Sequence, residues 1–259
     1  MASPDARDPS QAGDLAVDLP AGWSLRYAPV VGSTQDLARA AADAGVADGT
    51  IFLADYQTDG RGRHGRRWLA APGSALTLSI LFRDARREPV PRLFTTMVAV
   101  ALAGAIEEMV PTLRPRIKWP NDVMLGTRKV AGVLAEAQWN GATLAIVVGL
   151  GVNVNCTAAE LAGVGNSATS LLLEGGRPVH RGQLLAALLR GLERARSLPA
   201  AALHATWQAR LWGRGQRLRL TDLALDEDVV VLGVDEDGAL RVRLADGRLR
   251  RTVTGELIV

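Results

Sequence analysis

Ile117-Lys118-Trp119, a turn at Pro120-Asn121-Asp122, Val123 to Leu125, a second turn at Gly126-Thr127-Arg128, then Lys129 to Trp139, Asn140-Gly141 and Ala142 to Asn155: this run decides the fold. Apolar and β-branched residues fill the segments between short polar turns, and Asn-Gly is a strong hairpin signal. The run predicts an antiparallel meander from Arg116 to Asn155. Its last strand has a period of two, with Gly149, Gly151, Asn153 and Asn155 on one face and Leu150, Val152 and Val154 on the other. One face is packed, while the other is bare and then amide-rich, as where a ligand or another backbone comes close. The glycines are not a dinucleotide fingerprint, because no helix follows a phosphate-binding turn.

Upstream lie two further strand-like segments, Thr50 to Tyr56 and Ala75 to Phe82. Ser33-Thr34 precedes a short helical pattern from Gln35 to Ala44, which makes the two hydroxyls natural cap candidates. Pro91 to Val110 is apolar on more than one side, with Met97, Val98, Val100, Leu102 and Ile106, and predicts a buried helix. Helical spacing returns over Arg181 to Ala195 and Ala200 to Leu211, on the flank of the sheet, where His180 and His204 read as surface or packing residues.

After Trp212 the texture changes to short alternating runs: Gln216 to Thr221, Asp228 to Val234, Ala239 to Leu244 and Arg248 to Val253. Their even spacing predicts a small β-barrel of roughly 45 residues, with nothing catalytic in it. The expected organisation is a disordered leader over residues 1–22, an α+β domain of mixed sheet and flanking helices over 23–212, and the barrel over 213–259.

Composition narrows the function. With 30 Lys+Arg against 27 Asp+Glu, the chain leans basic without the imbalance that would by itself imply nucleic acid. Its single cysteine, Cys156, leaves no intrachain disulfide or multi-cysteine zinc site and reads as a structural thiol in a reducing, cytoplasmic setting. Met1 to Pro20 lacks the basic start and apolar stretch of a signal peptide. The most apolar segments, such as Leu144 to Val152, are shorter than the about 20 residues that span a bilayer.

Four constellations carry chemistry. Between the two upstream strands runs Gly60-Arg61-Gly62-Arg63-His64-Gly65-Arg66-Arg67-Trp68, where glycine permits close backbone approach and guanidinium groups offer forks for phosphate and carboxylate. It reads as an ordered anion-binding loop whose best candidates are Arg61, Arg63 and Arg66. Lys118-Trp119-Pro120-Asn121-Asp122 sets a cation, an amide and a carboxylate at a strand end, suited to reading a base edge and to holding Mg²⁺ or accepting a proton. Lys129 opens an otherwise apolar strand, where a charge must face solvent or an anion. The bare face of Gly149 to Asn155 is the fourth.

In this order, Gly60 to Trp68, Lys118 to Asp122, Lys129 to Glu136 and Gly149 to Asn155 resemble biotin protein ligase, over roughly Ser24 to Val259. The resemblance implies a catalytic domain related to class II aminoacyl-tRNA synthetases, followed by an SH3-like barrel. It implies condensation of biotin with Mg·ATP to biotinyl-5′-AMP, with release of pyrophosphate, and transfer of biotin to one lysine of the biotin carboxyl carrier domain of an acyl-CoA carboxylase. The substrate carboxylate is itself the nucleophile, so the chemistry needs charge stabilisation rather than a nucleophilic side chain.

Carried over by position, the resemblance implies Ser33, Thr34, Gln35, Gln57, Arg61, Gly62, Arg63, Lys129 and Gly132 around biotin. It implies Arg63, Arg66, Trp68, Lys118, Asn121, Lys129 and Asn153 around ATP and the adenylate. Lys129, Arg61, Arg63 and Asp122 are the catalytic set, with Asp122 also the magnesium candidate. Ala168-Thr169-Ser170-Leu171 resembles the family's run as well. Gln35 departs from the usual Ser-Thr-Asn, and the short leader leads us to expect no sequence-specific DNA binding. The rival readings are a lipoate or octanoate protein ligase and a non-catalytic phosphate- or RNA-binding module.

Overall fold

The computed structural model describes residues 13–15, 17–83, 91–140, 143–164, 167–222 and 226–258. In chain order these form β1 (Ser24–Val31), α1 (Thr34–Asp43), β2 (Thr50–Gln57), β3 (Ala75–Arg83), α2 (Pro91–Met109), β4 (Arg116–Lys118), β5 (Asp122–Leu125), β6 (Arg128–Asn140) and β7 (Thr143–Asn153). There follow α3 (Ala158–Leu161), α4 (Leu171–Gly175), α5 (Arg181–Ser197), α6 (Ala200–Arg210), β8 (Arg217–Thr221), β9 (Asp226–Val234), β10 (Leu240–Arg243), β11 (Leu249–Thr252) and β12 (Glu256–Ile258).

The first seven strands make one mixed sheet, ordered β1-β2-β3-β7-β6-β5-β4. β4 to β7 form the expected antiparallel meander, and only β1 and β2 run parallel, joined through α1. One face is apolar because alternate residues such as Ile51, Leu53, Leu76, Leu78 and Ile80 point to it. They pack with Val98, Leu102 and Ile106 of α2 and Leu184, Leu185 and Leu188 of α5 in one cluster. As its all-round apolar pattern predicts, α2 is buried along most of its length. On the opposite face α1 lies close because its contact residues are small: Ala38, Ala41 and Ala42 pack against Phe52, Leu81 and Val147. The remainder of that face stays open.

The expected barrel is an open, five-stranded antiparallel sheet ordered β11-β10-β9-β8-β12. Its fifth strand, β12, is absent from the alternation of the sequence because it is three residues long and buries only Leu257. This sheet docks onto the first through polar groups as well as packing. The buried Trp119 indole donates to the Gly238 carbonyl at 3.0 Å, and the Val234 N–H donates to Gln208 at 2.9 Å. His204 meets the Val234 carbonyl and His180 accepts from the Gln183 N–H at the start of α5, so both histidines are packing and capping residues. Among the described residues no helix is long and apolar enough to cross a membrane.

Part of the expected leader is built into the fold. Gly13–Leu15 form a short 3₁₀ turn in which Leu15 is 0% exposed. Asp14 pairs with Arg181, itself 5% exposed, whose guanidinium also reaches Asp55 at 2.7 Å and the Ala75 carbonyl at 3.2 Å. Removing that guanidinium leaves two carboxylates without their cation. Arg181→Ala is expected to lower unfolding stability in urea by about 3 kcal/mol. A loss below about 0.5 kcal/mol, the level of an ordinary surface change, would refute the network's structural weight.

Candidate active site

The open face of the large sheet is the floor of a cavity of about 590 Å³, and most of the residues singled out from the sequence line it: the Ser33-Thr34-Gln35 turn, Gln57, the side chains Arg61, Arg63, Arg66 and Trp68 of the arginine loop, Lys118, Asn121, Asp122, Lys129, Gly132 and Asn153. The floor is flat because glycines meet across strands. Gly132 of β6 is registered against Gly151 of β7, and Gly149 lies against Leu134 and Ser79. Each glycine is covered by a side chain, which a Cβ would displace at Gly149 and Gly151 and crowd at Gly132. At Gly151 that atom would sit 2.3 Å from the Trp68 indole, at Gly149 2.7 Å from the Gln35 amide oxygen, and at Gly132 3.1 Å from the Lys129 amine. Alternation therefore located the close approach correctly for Gly149 and Gly151. It stops at Asn153: Asn155 turns away and exchanges hydrogen bonds with the Val179 backbone at 2.9 Å, outside the cavity.

The arginine loop closes on itself. Trp68 N–H donates to the Gly60 carbonyl at 2.8 Å, Gly62 N–H to the Arg66 carbonyl at 2.7 Å, and Arg61 pairs with Arg67 in a single β-bridge. His64 and Gly65 turn the chain at φ 56° and 72°, a region that favours glycine and that His64 occupies in an exposed bend. The cations are divided among partners. Arg61 pairs with Asp36 of α1, Arg63 donates to Asn121 Oδ1 at 3.3 Å, and Arg66 forms a two-pronged pair with Glu256 of β12. Burial lowers the Arg63 guanidinium from its ordinary value, and the Arg66 hydrogen bonds hold the Glu256 carboxyl below the usual range.

Opposite the loop, Lys129 sits 2.6 Å from Asp122 Oδ1, so its charge faces a carboxylate in the cavity. Its backbone pairs with the Ser167 to Thr169 segment, and Asn153, 3% exposed, donates to the Thr169 carbonyl at 2.9 Å. Asn121 likewise donates to the Val133 carbonyl at 3.0 Å, fixing the turn after β4. Lys118 lies 5.6 Å over the Trp212 ring, and burial pushes its ammonium below the usual lysine value.

Two sequence expectations need correction here. Ser33 occupies the N-cap position of α1, but its side chain makes no capping bond. The Thr34 hydroxyl lies 3.0 Å from Gln57 Oε1 and 2.9 Å from the Ser79 hydroxyl, and both partners line the cavity. The small C-terminal sheet, from which no site residue was expected, supplies Glu256 and Ile258 to the cavity. The signal that would have found Glu256 is weak, a lone acid after a glycine near the chain end. Cys156 is buried beside Ser74 at 3.3 Å, with its thiol pushed up by burial, as expected of a structural residue.

Taken together, the site offers a cleft with arginines along one side, Lys129 on the opposite side and a polar turn of buried hydroxyl and amide groups. Residues 27–153 match the Biotin/lipoate A/B protein ligase family. The biotin-[acetyl-CoA-carboxylase] ligase of Mycobacterium tuberculosis is 34% identical, over 95% of this chain and 90% of that one. The bifunctional ligase/repressor BirA of Bacillus subtilis is 30% identical, over 87% of this chain and 71% of its own length. Among solved structures, the biotin protein ligase of Aquifex aeolicus in complex with biotin and ATP superposes with a TM-score of 0.75 at 26% identity, covering 90% of this chain and 97% of that one. On these similarities, the chain belongs to the biotin protein ligases of the biotin/lipoate A/B protein ligase family.

Proposed function

We propose that this cleft performs both half-reactions of an ATP-dependent biotin protein ligase, and that Lys129 is the cation on which the first depends. A biotin carboxylate oxygen attacks the α-phosphorus of ATP, the bond to the β-phosphate oxygen breaks, and pyrophosphate leaves. The lysine amine of a carrier domain of acyl-CoA carboxylase then attacks the acyl carbon of biotinyl-5′-AMP. AMP leaves, and the amine proton is released. The observation that carries this reading is the placement of Lys129 beside Asp122 over Gly132, in a cleft shared with Arg61, Arg63 and Arg66. A point charge held there stabilises the negative charge that builds on carboxylate and phosphate oxygens.

Ser33, Thr34 and Gln57 form the inner end that takes the biotin head group. The arginine loop is the lid: Arg61 and Arg63 close over carboxylate and adenylate, and Trp68 walls the nucleotide side. Magnesium belongs to the nucleotide substrate. Asp122 suits an ion that binds through one or two carboxylates and is otherwise held by phosphate and water. Among the described residues no group of three or more His, Cys, Asp or Glu is arranged to hold a metal by itself. A cytoplasmic setting fits the need for ATP and the lone thiol.

Biotin-dependent ATP–pyrophosphate exchange tests this reading against the lipoate alternative. Exchange is expected with biotin and not with lipoate, and the reverse pattern would overturn the assignment. In Lys129→Ala, exchange should fall at least about 100-fold with circular dichroism unchanged, in line with losing a preorganised charge; wild-type exchange would remove Lys129 from its role. Gly151→Ala places a Cβ where the Trp68 indole lies and should raise the KM for ATP about tenfold, the effect of losing about 1.4 kcal/mol of binding. An unchanged KM would show that Trp68 does not wall the nucleotide side. Glu256→Ala frees Arg66, so limited proteolysis between residues 60 and 68 should be faster than in the wild type. Equal rates would mean that β12 does not tether the lid.

A further inference from the structure

Gln35 carries a second message, which rests on the biotin reading of the cavity. Its side chain is 4% exposed and crosses three strands. The amide nitrogen donates to Glu136 Oε2 at 3.0 Å and to the Val147 carbonyl at 3.3 Å, and the amide oxygen accepts from the Ser79 hydroxyl at 3.0 Å. A carboxylate and a carbonyl only accept, so the amide has one possible orientation: nitrogen toward them, oxygen toward Ser79. Gly149 makes room for this, since its absent Cβ would lie 2.7 Å from that oxygen. Both ends of the amide are thus engaged by protein groups.

The consequence passes along the hydroxyls. Ser79 lies 2.9 Å from the Thr34 hydroxyl, which lies 3.0 Å from Gln57 Oε1; that same oxygen already accepts from the Thr34 backbone N–H at 2.8 Å. The contacts Gln35–Ser79, Ser79–Thr34 and Thr34–Gln57 are three, but the two hydroxyls hold two hydrogens. With the Ser79 hydrogen directed to Gln35, Thr34 supplies either Ser79 or Gln57 and not both. The chain of hydroxyl contacts at the inner end of the cavity is therefore one hydrogen short. We propose that Gln35 is a positioning residue that sets this hydrogen order, so that the pocket selects a head group presenting N–H donors, such as the cyclic urea of biotin, over a ring that has none.

The test separates this from a general packing role. Gln35→Met keeps length and bulk but removes both amide ends. Ser79 then directs its hydrogen to Thr34 and Thr34 to Gln57, and the deficit that a ligand N–H would fill disappears. In ATP–pyrophosphate exchange with the full chain, the KM for biotin should rise about tenfold, while kcat and the KM for ATP stay within twofold. The preference for biotin over lipoate should shrink correspondingly. Ser79→Ala, a smaller change, serves if the first variant does not fold, and should show the same split. Biotin KM within twofold of wild type, or equal rises for biotin and ATP, would overturn the proposal. A wild-type chain that supports no biotin-dependent exchange would instead overturn the functional reading beneath it.

Discussion

The site depends on the absence of three side chains. Gly132, Gly149 and Gly151 lie in the interior of a sheet, where glycine is ordinarily unfavourable because it adds chain entropy and packs nothing. Here their bareness admits Lys129, Gln35 and Trp68 into the space that a Cβ would fill. An ammonium, an amide and an indole are thereby brought against one flat floor. The stability lost in the strands is offset by the apolar face behind them, where α2 and α5 bury a continuous core.

Electrostatics forms the second layer. Four cations of the cleft have a polar side-chain partner in this structure: Asp36 for Arg61, Asn121 for Arg63, Glu256 for Arg66 and Asp122 for Lys129. Such pairs between partly exposed groups contribute modestly to stability. They do hold guanidinium and ammonium groups near the cleft at low reorganisation, and a polyanionic substrate competes for the same forks. The partners come from α1, from the turn before β5 and the first residue of β5, and from the far end of the chain, so the arginine loop is linked to the large sheet and to the small one. Asn121 and Asn153 serve this arrangement through the backbone. Each directs its amide N–H at a carbonyl and so fixes the Asn121–Asp122 turn and the segment beside Lys129.

Much of this was legible along the chain. The meander from Arg116 to Asn155 announced itself through turn chemistry and apolar runs, and the bare face of β7 through its period of two. Both signals are local, set by neighbouring residues on one strand. Charge density and glycine spacing likewise marked the loop around Arg61 and Arg63. The small sheet was legible as short strands, but β12 was not, because three residues cannot display a period. Leu15 and Asp14 were read as leader because their partners, above all Arg181, lie more than 160 residues away.

The sequence by itself determined most of the elements, the floor glycines and the kinds of group that face an anion, since propensity, alternation and charge act over a few residues. Only the tertiary structure decided which groups meet. It set Arg66 against Glu256 of the last strand, set the Thr34 hydroxyl against Gln57 and Ser79, and laid Gln35 across three strands. Each of these is a contact between distant segments, and its energy depends on the register of the sheet and the docking of α1 and β12, which no local pattern encodes.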